Sequence, residues 1–129
     1  MSLDENKALV RRAVEAFDAV DPDPFEEVFS PQLAQEWRQV LSALPFGEHH
    51  IEITAMVAEG DMVAVKLASR GGHTGTWEGV PPTGKSWTNR GMGMARIEGG
   101  RIVEFDTISD ELGHLKQLGA TITPPAPSG

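Results

Sequence analysis

The stretch His73-Thr-Gly-Thr-Trp-Glu-Gly-Val-Pro-Pro-Thr-Gly-Lys85 says more about the fold than any other part of this chain. A single histidine leads through glycines and a tryptophan into two prolines, a threonine and a glycine. Proline fixes its own backbone angle and glycine tolerates conformations that other residues avoid, so the run predicts a rigid turn between two strands. We interpret Pro81 to Lys85 as a structural turn, and His73 as the residue of the stretch that is a candidate for catalysis.

The composition is that of one soluble globular domain. The chain has 129 residues, of which 40% are hydrophobic and 23% charged, enough for one core and too few for two. We predict a single domain over residues 1–120 and a disordered, proline-rich tail over residues 121–129. No apolar run reaches the length of a membrane span, and the first residues lack the apolar core of a secretory signal, so a cytoplasmic protein is expected.

The net charge and the absence of two residue types exclude several classes of partner and of catalytic group. A net charge of −8 and a pI of about 4.9 argue against nucleic acid and anionic membranes as partners. The absence of cysteine and tyrosine excludes thiolate nucleophiles, cysteine metal sites and phenolic acids. Proton transfer must then fall to Asp, Glu, His, Lys or water. His49 and His50 point to opposite faces of a strand, so no metal site is predicted.

Three helices are predicted in the first third of the chain. Ser2 and Glu5 form a capping-box pattern that predicts a helix starting near Leu3. Asp23-Pro24 and Ser30-Pro31 each place a capping residue before a proline, which favours two further helix starts. The third helix is expected to end near Pro45.

The periodicity then changes to that of strands. Alternating segments cover His49 to Val57 and Met62 to Arg70, with Val57 on the same face as Ile51 and Ile53. Further strands are predicted over 86–97 and 101–108, and a short helix over 110–118 that ends at a glycine. Helices followed by antiparallel strands predict an α+β fold, with the three helices packed on the concave face of a curved sheet. A cone of this kind that is not filled by side chains is a pocket.

His73 and Asp110 are the candidate catalytic residues. His73 faces the apolar side if its strand continues unbroken, and it is a loop residue if Gly71-Gly72 ends the strand; periodicity favours neither. Asp110 is either the N-cap of the last helix or a carboxyl at the pocket. Burial among apolar side chains would raise the pKa of that carboxyl and suit it to acid–base work.

Seven further residues are candidates for contacting a ligand. Tryptophans are more often core than ligand contacts, but three of them without a tyrosine suggest a large apolar enclosure. Two methionines share one face of a strand and could line a pocket adaptably. An asparagine could supply a polar contact, and an aspartate shares the face of Asp110. The predicted substrate-binding residues are Trp37, Trp77, Trp87, Asn89, Met92, Met94 and Asp106.

Three blocks of sequence together resemble a known family. They are His73-x-Gly75-x-x-x-Gly79-x-Pro81-Pro82-Thr83-Gly84-Lys85, then Arg96-Ile97-x-x-Gly100-Arg101-Ile102-Val103-Glu104, then Asp110-x-x-x-x-x-x-Gln117-Leu118-Gly119. The chain is similar here to the SnoaL-like polyketide cyclases, or ester cyclases, of the nuclear-transport-factor-two-like superfamily. The resemblance covers about the C-terminal two-fifths specifically, whereas the N-terminal helices match the superfamily in pattern only.

The resemblance carries expectations about structure and chemistry. It implies an apolar cavity, usually a homodimer, and ring closure by intramolecular aldol condensation without metal or cofactor. Asp110 matches the family's acid/base aspartate, and His73 a histidine on a neighbouring strand. Asp106 stands where members commonly have a large aromatic, so it is expected to bring an extra carboxylate into the cavity and to raise the pKa of Asp110.

The leading hypothesis is an enzyme that acts on a hydrophobic, carbonyl-bearing small molecule. One alternative is a non-catalytic ligand-binding or accessory domain. Another is an epoxide-hydrolase-like enzyme that uses Asp106, Asp110 and either Arg90 or Arg96. Convergence of Asp110 and His73 on one cavity would favour catalysis, whereas an Asp110 that caps its own helix and points to solvent would count against any enzyme that relies on it, so that the enzyme hypothesis fails.

Overall fold

The computed structural model describes residues 2–44 and 46–127 and shows the predicted α+β architecture. Three N-terminal helices are followed by four antiparallel strands in the order β1-β2-β3-β4 and by one short helix. The elements are α1 (Leu3–Asp18), α2 (Phe25–Val28), α3 (Pro31–Ser42), β1 (Phe46–Glu59), β2 (Met62–His73), β3 (Ser86–Glu98), β4 (Arg101–Ser109) and α4 (Glu111–Gln117).

The helix starts follow from local sequence. The Ser2 hydroxyl accepts a hydrogen bond from the Glu5 amide at 3.1 Å, and the Glu5 carboxylate accepts one from the Ser2 amide at 3.2 Å. This reciprocal pair satisfies two amides that a helix end leaves without partners, and confirms the predicted start of α1. Pro31 opens α3 as predicted. That helix ends at Ser42, and Pro45, where its end was expected, lies outside the described residues.

The sheet curls because two positions on the inner face of β3 carry no side chain. A Cβ at Gly91 would lie 2.9 Å from the carbonyl oxygen of Ile108, and one at Gly93 would lie 3.1 Å from the Phe105 ring. Glycine at both positions therefore lets β4 approach β3 closely. Bulges in β1, between Ile53 and Ala55, and in the β3–β4 pairing add local twist.

The bulge in β1 reverses one predicted orientation. Before it, Ile51 and Ile53 face the helices as predicted, opposite Ser69 and Leu67 of β2. After it, Met56 packs against the core while Val57 is 66% exposed. The prediction that Val57 shares the face of Ile51 is wrong, because an extra residue on one strand shifts every later side chain to the other side.

The hydrophobic core lies between α1, α2 and the inner face of the sheet. Its most buried side chains include Val10 and Phe25 from the helices and Val63 and Ile102 from the strands, all fully buried. Residues of the opposite, outer face are largely exposed. Among the residues that the structure describes, no helix has both the length and the apolar character needed to cross a membrane.

Candidate functional site

An apolar cavity of about 180 Å³ lies between the helices and the wide part of the curved sheet. Side chains from α1 and α3 close it on one side, and all four strands contribute to the other. Its lining is Ala13, Val14, Phe17, Phe29, Trp37, Ile51, Leu67, Ser69, Gly91, Phe105, Thr107, Ile108 and Ser109. Gly91 lines the cavity without a side chain that would fill it. The glycine that lets β4 approach β3 therefore also helps to keep this space open.

Three hydroxyl groups supply the polar part of the cavity wall. Ser69 follows Leu67 on the inner face of β2, and Thr107 and Ser109 follow Phe105 on that of β4. None of the side chains lining this cavity is titratable, so they can donate or accept hydrogen bonds but cannot act as an acid or base at neutral pH. We did not predict these residues from sequence, although the alternation along β4 placed Thr107 and Ser109 on the same face as Phe105.

Aromatic rings form the wall of the cavity toward α3. Trp37 meets Phe17 edge-on with ring centroids 5.2 Å apart and Phe105 edge-on at 5.8 Å. It also stacks against Phe29 at 6.4 Å. Of the seven predicted substrate-binding residues, Trp37 is the one that lines the cavity.

Asp110 is the N-cap of α4. Its carboxylate accepts a hydrogen bond from the Gly113 amide at 2.9 Å, and a Cβ at Gly113 would collide with that carboxylate. The residue is exposed rather than buried among apolar side chains, so the burial that we expected around this carboxyl is not found. Ser109, immediately before it in the sequence, lies on the cavity wall, whereas Asp110 itself is not among the residues that line the cavity.

His73 is buried away from the cavity. Strand β2 continues through Gly71 and Gly72, so the imidazole faces inward and is fully buried. Its Nδ1 accepts a hydrogen bond from the Thr83 amide at 3.2 Å and lies 2.9 Å from the Thr83 hydroxyl. Its main-chain amide and carbonyl bond to Lys85 and Gly84. His73 therefore holds the proline-containing turn, and it does not converge with Asp110 on the cavity.

Trp77 and Trp87 enclose a histidine of α4. The His114 ring lies 4.3 Å from the Trp77 ring and 4.2 Å from the Trp87 ring, measured between centroids. Only 3% of His114 is exposed. Burial lowers the pKa of this imidazole, and the charge of nearby His73 lowers it further. Neither tryptophan lines the cavity, so both belong to the packing of α4 against the sheet and the turn.

The remaining predicted ligand contacts do not face the cavity. Met92 and Met94 lie on the outer face of β3 and are 59% and 49% exposed. The prediction that the two methionines share one face of the strand is confirmed, but this is the outer face. The inner positions of β3 are Asn89, Gly91 and Gly93. The Asn89 side chain contacts the Asp110 amide and the His114 ring.

Asp106 and the arginines also lie outside the cavity. Asp106 pairs in register with Met94 and is exposed on the outer face. The expected extra carboxylate in the cavity is therefore not found. Arg96 binds Glu98 at 2.7 Å and Glu104 at 2.9 Å, and Arg90 faces outward beside Ala68. The two aspartates and an arginine that an epoxide hydrolase would need do not gather around a common space.

Comparisons with known proteins agree with the geometry of the fold. The family model described as SnoaL-like polyketide cyclase matches residues 7–118. Aklanonic acid methyl ester cyclase DauD of Streptomyces sp. (strain C5) is 29% identical in an alignment of 128 positions, gaps included, and the match covers 86% of this chain and 80% of that protein.

Two solved structures have the same fold. Wild-type IdmH of Streptomyces antibioticus, described as a candidate polyketide cyclase, has a TM-score of 0.78 at 28% identity and covers 89% of this chain and 99% of its own. AclR of Streptomyces galilaeus, described as a candidate hydroxylase, has a TM-score of 0.83 at 24% identity, covering 96% of this chain and 87% of its own. The second likeness concerns the fold alone.

Proposed function

Because the chain belongs to the SnoaL-like polyketide cyclase family, we propose that it closes a ring in a hydrophobic, carbonyl-bearing small molecule by an intramolecular aldol reaction. The observation that carries the proposal is the apolar cavity, whose wall offers hydroxyl groups and includes Ser109, the residue directly before Asp110. The similarity to an aklanonic acid methyl ester cyclase supports the same class of reaction.

The division of polar groups suits this chemistry. Ser69, Thr107 and Ser109 can donate hydrogen bonds to a carbonyl oxygen inside the cavity. Since no titratable side chain lines the wall, the proton must be moved by a group at the opening. Asp110 adjoins Ser109 and carries an exposed carboxylate, which makes it the favoured acid–base group.

The proposed reaction consists of two proton transfers around one bond formation. The Asp110 carboxylate removes a proton from a methylene group activated by neighbouring carbonyls. The resulting enolate carbon attacks a second carbonyl carbon of the same molecule, and the oxygen of that carbonyl takes the proton back from Asp110. The apolar wall shelters the enolate from water, which would otherwise protonate it before the ring closes.

The size of the cavity limits how much of a substrate it encloses. A cavity of about 150 Å³ in another protein binds one benzene molecule, whereas pockets for drug-sized ligands span about 300–1,000 Å³. The volume of about 180 Å³ here therefore suits a single ring of the substrate. The remainder of a larger molecule would lie at the opening, near Asp110.

The proposal is tested by replacing Asp110 with asparagine. Asparagine caps a helix as well as aspartate does, so Asp110→Asn removes the charge and retains the cap. We expect kcat to fall by about 100-fold or more with little change in the urea unfolding midpoint. The assay follows ring closure of aklanonic acid methyl ester, the compound named for the relative, by chromatography and mass spectrometry.

Glu111→Gln is the matched control, because it removes a neighbouring exposed carboxylate by the same chemical change. It should leave kcat within about twofold of the wild type. Full activity of Asp110→Asn would remove Asp110 from the mechanism.

One observation favours the non-catalytic alternative, namely that Asp110 caps its own helix and is exposed. On that alternative the chain holds a hydrophobic molecule without converting it. Quenching of Trp37 fluorescence by the ester, with no product from the wild-type protein, would support binding without turnover.

We further propose that the protein works as a cytoplasmic homodimer joined through the outer face of the sheet. Val57, Met92 and Met94 are exposed there. Acidic and basic side chains occur around them in nearly equal number, although the net charge of the chain is −8. The charged residues in these rows include Glu52, Glu59, Lys66, Arg70, Arg90, Arg96, Glu104 and Asp106.

A further inference from the structure

Asn89 connects the inner face of β3 to the beginning of α4. Its Oδ1 lies 2.7 Å from the Arg90 amide and 3.2 Å from the Asp110 amide. Its Nδ2 lies 3.2 Å from Nδ1 of His114. The side chain thus contacts both the backbone of Asp110 and the histidine one turn further along α4.

These contacts define the orientation of the amide and the tautomer of the histidine. Two backbone N–H groups converge on one atom of the Asn89 side chain, so that atom must be the oxygen. The NH₂ group then faces His114 and can only donate. Nδ1 of His114 must therefore accept, which places the proton of the neutral ring on Nε2.

The lowered pKa of His114 is consistent with this arrangement. A protonated ring would present an N–H to the NH₂ group of Asn89, and neither could accept from the other. Reversing the amide would in turn direct its NH₂ group at the two backbone amides. The chain of donors from Asp110 through Asn89 to His114 is complete only with His114 neutral.

From this geometry we propose that Asn89 and His114 are positioning residues for Asp110, a role that rests on the proposed catalytic function of that carboxylate. The Asn89 side chain shares the Asp110 amide with the Arg90 carbonyl, which lies 3.2 Å from the same nitrogen. His114 orients Asn89 while being held between Trp77 and Trp87. Together they hold the start of α4 so that the Asp110 carboxylate stays beside Ser109 and the cavity.

The other end of α4 provides a control within the same helix. The Gln117 side chain accepts a hydrogen bond from the Thr88 amide at 2.8 Å and donates one to the Thr88 carbonyl at 2.7 Å. This second attachment joins α4 to the same strand, but away from Asp110. A purely structural role would make the loss of either attachment equivalent, whereas a positioning role would not.

The test compares Asn89→Ala with Gln117→Ala in the assay described for Asp110. We expect Asn89→Ala to lower kcat by about 10- to 100-fold, the size of effect that a small misplacement of a reacting group causes, with KM within about twofold. Gln117→Ala should lower the unfolding midpoint comparably and keep kcat within about twofold. Wild-type kcat in Asn89→Ala, or equal losses of kcat in both variants, would overturn the proposal.

Nuclear magnetic resonance separates this inference from the proposed function, because it needs no substrate. Ring ¹⁵N shifts of histidine-labelled protein should show His114 neutral with its proton on Nε2. In Asn89→Asp the carboxylate can only accept, so Nδ1 should gain a proton. Amide exchange at Asp110 should rise in Asn89→Ala, where only the Arg90 carbonyl still accepts this amide, but not in Gln117→Ala. A wild-type ring protonated on Nδ1, or unchanged exchange at Asp110, would refute the positioning network even if Asp110 is catalytic.

Discussion

His114 shows how the surroundings of one residue determine what it can do. As a sequence position it is an ordinary histidine of a short amphipathic helix. In the fold its ring is 3% exposed, lies between two indoles and accepts a hydrogen bond from Asn89. Burial favours the neutral form because a charged imidazole loses its hydration, and this lowers its pKa.

The lowered pKa of His114 predicts how stability depends on pH. The unfolded chain binds the proton first as the pH falls below 6.5, the ordinary pKa of histidine, so the stabilisation from neutral His114 is present above that pH and declines below it. We expect the free energy of unfolding of the wild type, relative to that of His114→Phe, to decrease as the pH falls from about 7.5 to about 5.5. Urea unfolding at several pH values measures this, and a constant or widening difference in the free energy of unfolding would contradict it.

Asp110 is a residue for which the sequence allowed two roles. The sequence supported both an N-cap and a pocket carboxyl, and the structure confirms the N-cap through the Gly113 amide. The two roles do not exclude each other, since a carboxylate has two oxygens and the cap uses one of them. Only the turnover of Asp110→Asn decides whether it has both.

The turn between β2 and β3 has the form that the sequence predicted, whereas the catalytic role expected of His73 stays a prediction. Its rigidity was predicted from prolines and glycines, and the structure places Gly79 and Gly84 at positive φ. The histidine that introduces it is part of the same scaffold, because its ring and its backbone both bond to the turn.

Thr83→Val tests the assignment of His73 to the scaffold. The change keeps the shape of the side chain and removes the hydroxyl that lies against the His73 ring. We expect a loss of about 1–2 kcal/mol in the free energy of unfolding, with kcat and KM unaffected. Thr74→Val, at an exposed position of the same segment, should change neither property. A loss of kcat in Thr83→Val without a loss of stability would instead indicate that His73 takes part in the reaction.

At the scale of the whole molecule, the sheet separates an inner face that forms the cavity from an outer face left exposed. Met92 and Met94 were expected in the pocket and lie on the outer face instead. A hydrophobic patch with balanced charges on an otherwise acidic protein is suited to pairing with a second copy of itself.

Met92→Glu tests the proposed dimer. A buried, unpaired carboxylate at the centre of the patch should dissociate it, because desolvating a charge without a partner is costly. Sedimentation velocity should show a wild-type dimer and a Met92→Glu monomer at the same concentration. Ile122→Glu places the same charge at an exposed site in the tail and should leave the dimer intact. A monomeric wild type would refute the dimer.

The sequence by itself determined the order and type of the elements and the family resemblance, because capping, periodicity and turn residues act over a few neighbouring positions. The described part of the structure bears this out, from the capping box of α1 to the glycine after α4. The tertiary structure decided which face of each strand meets the cavity. A single bulge moved Val57 outward, and the pairing of β3 turned its methionines away and its glycines inward. Such choices depend on register between distant strands, which local patterns do not specify.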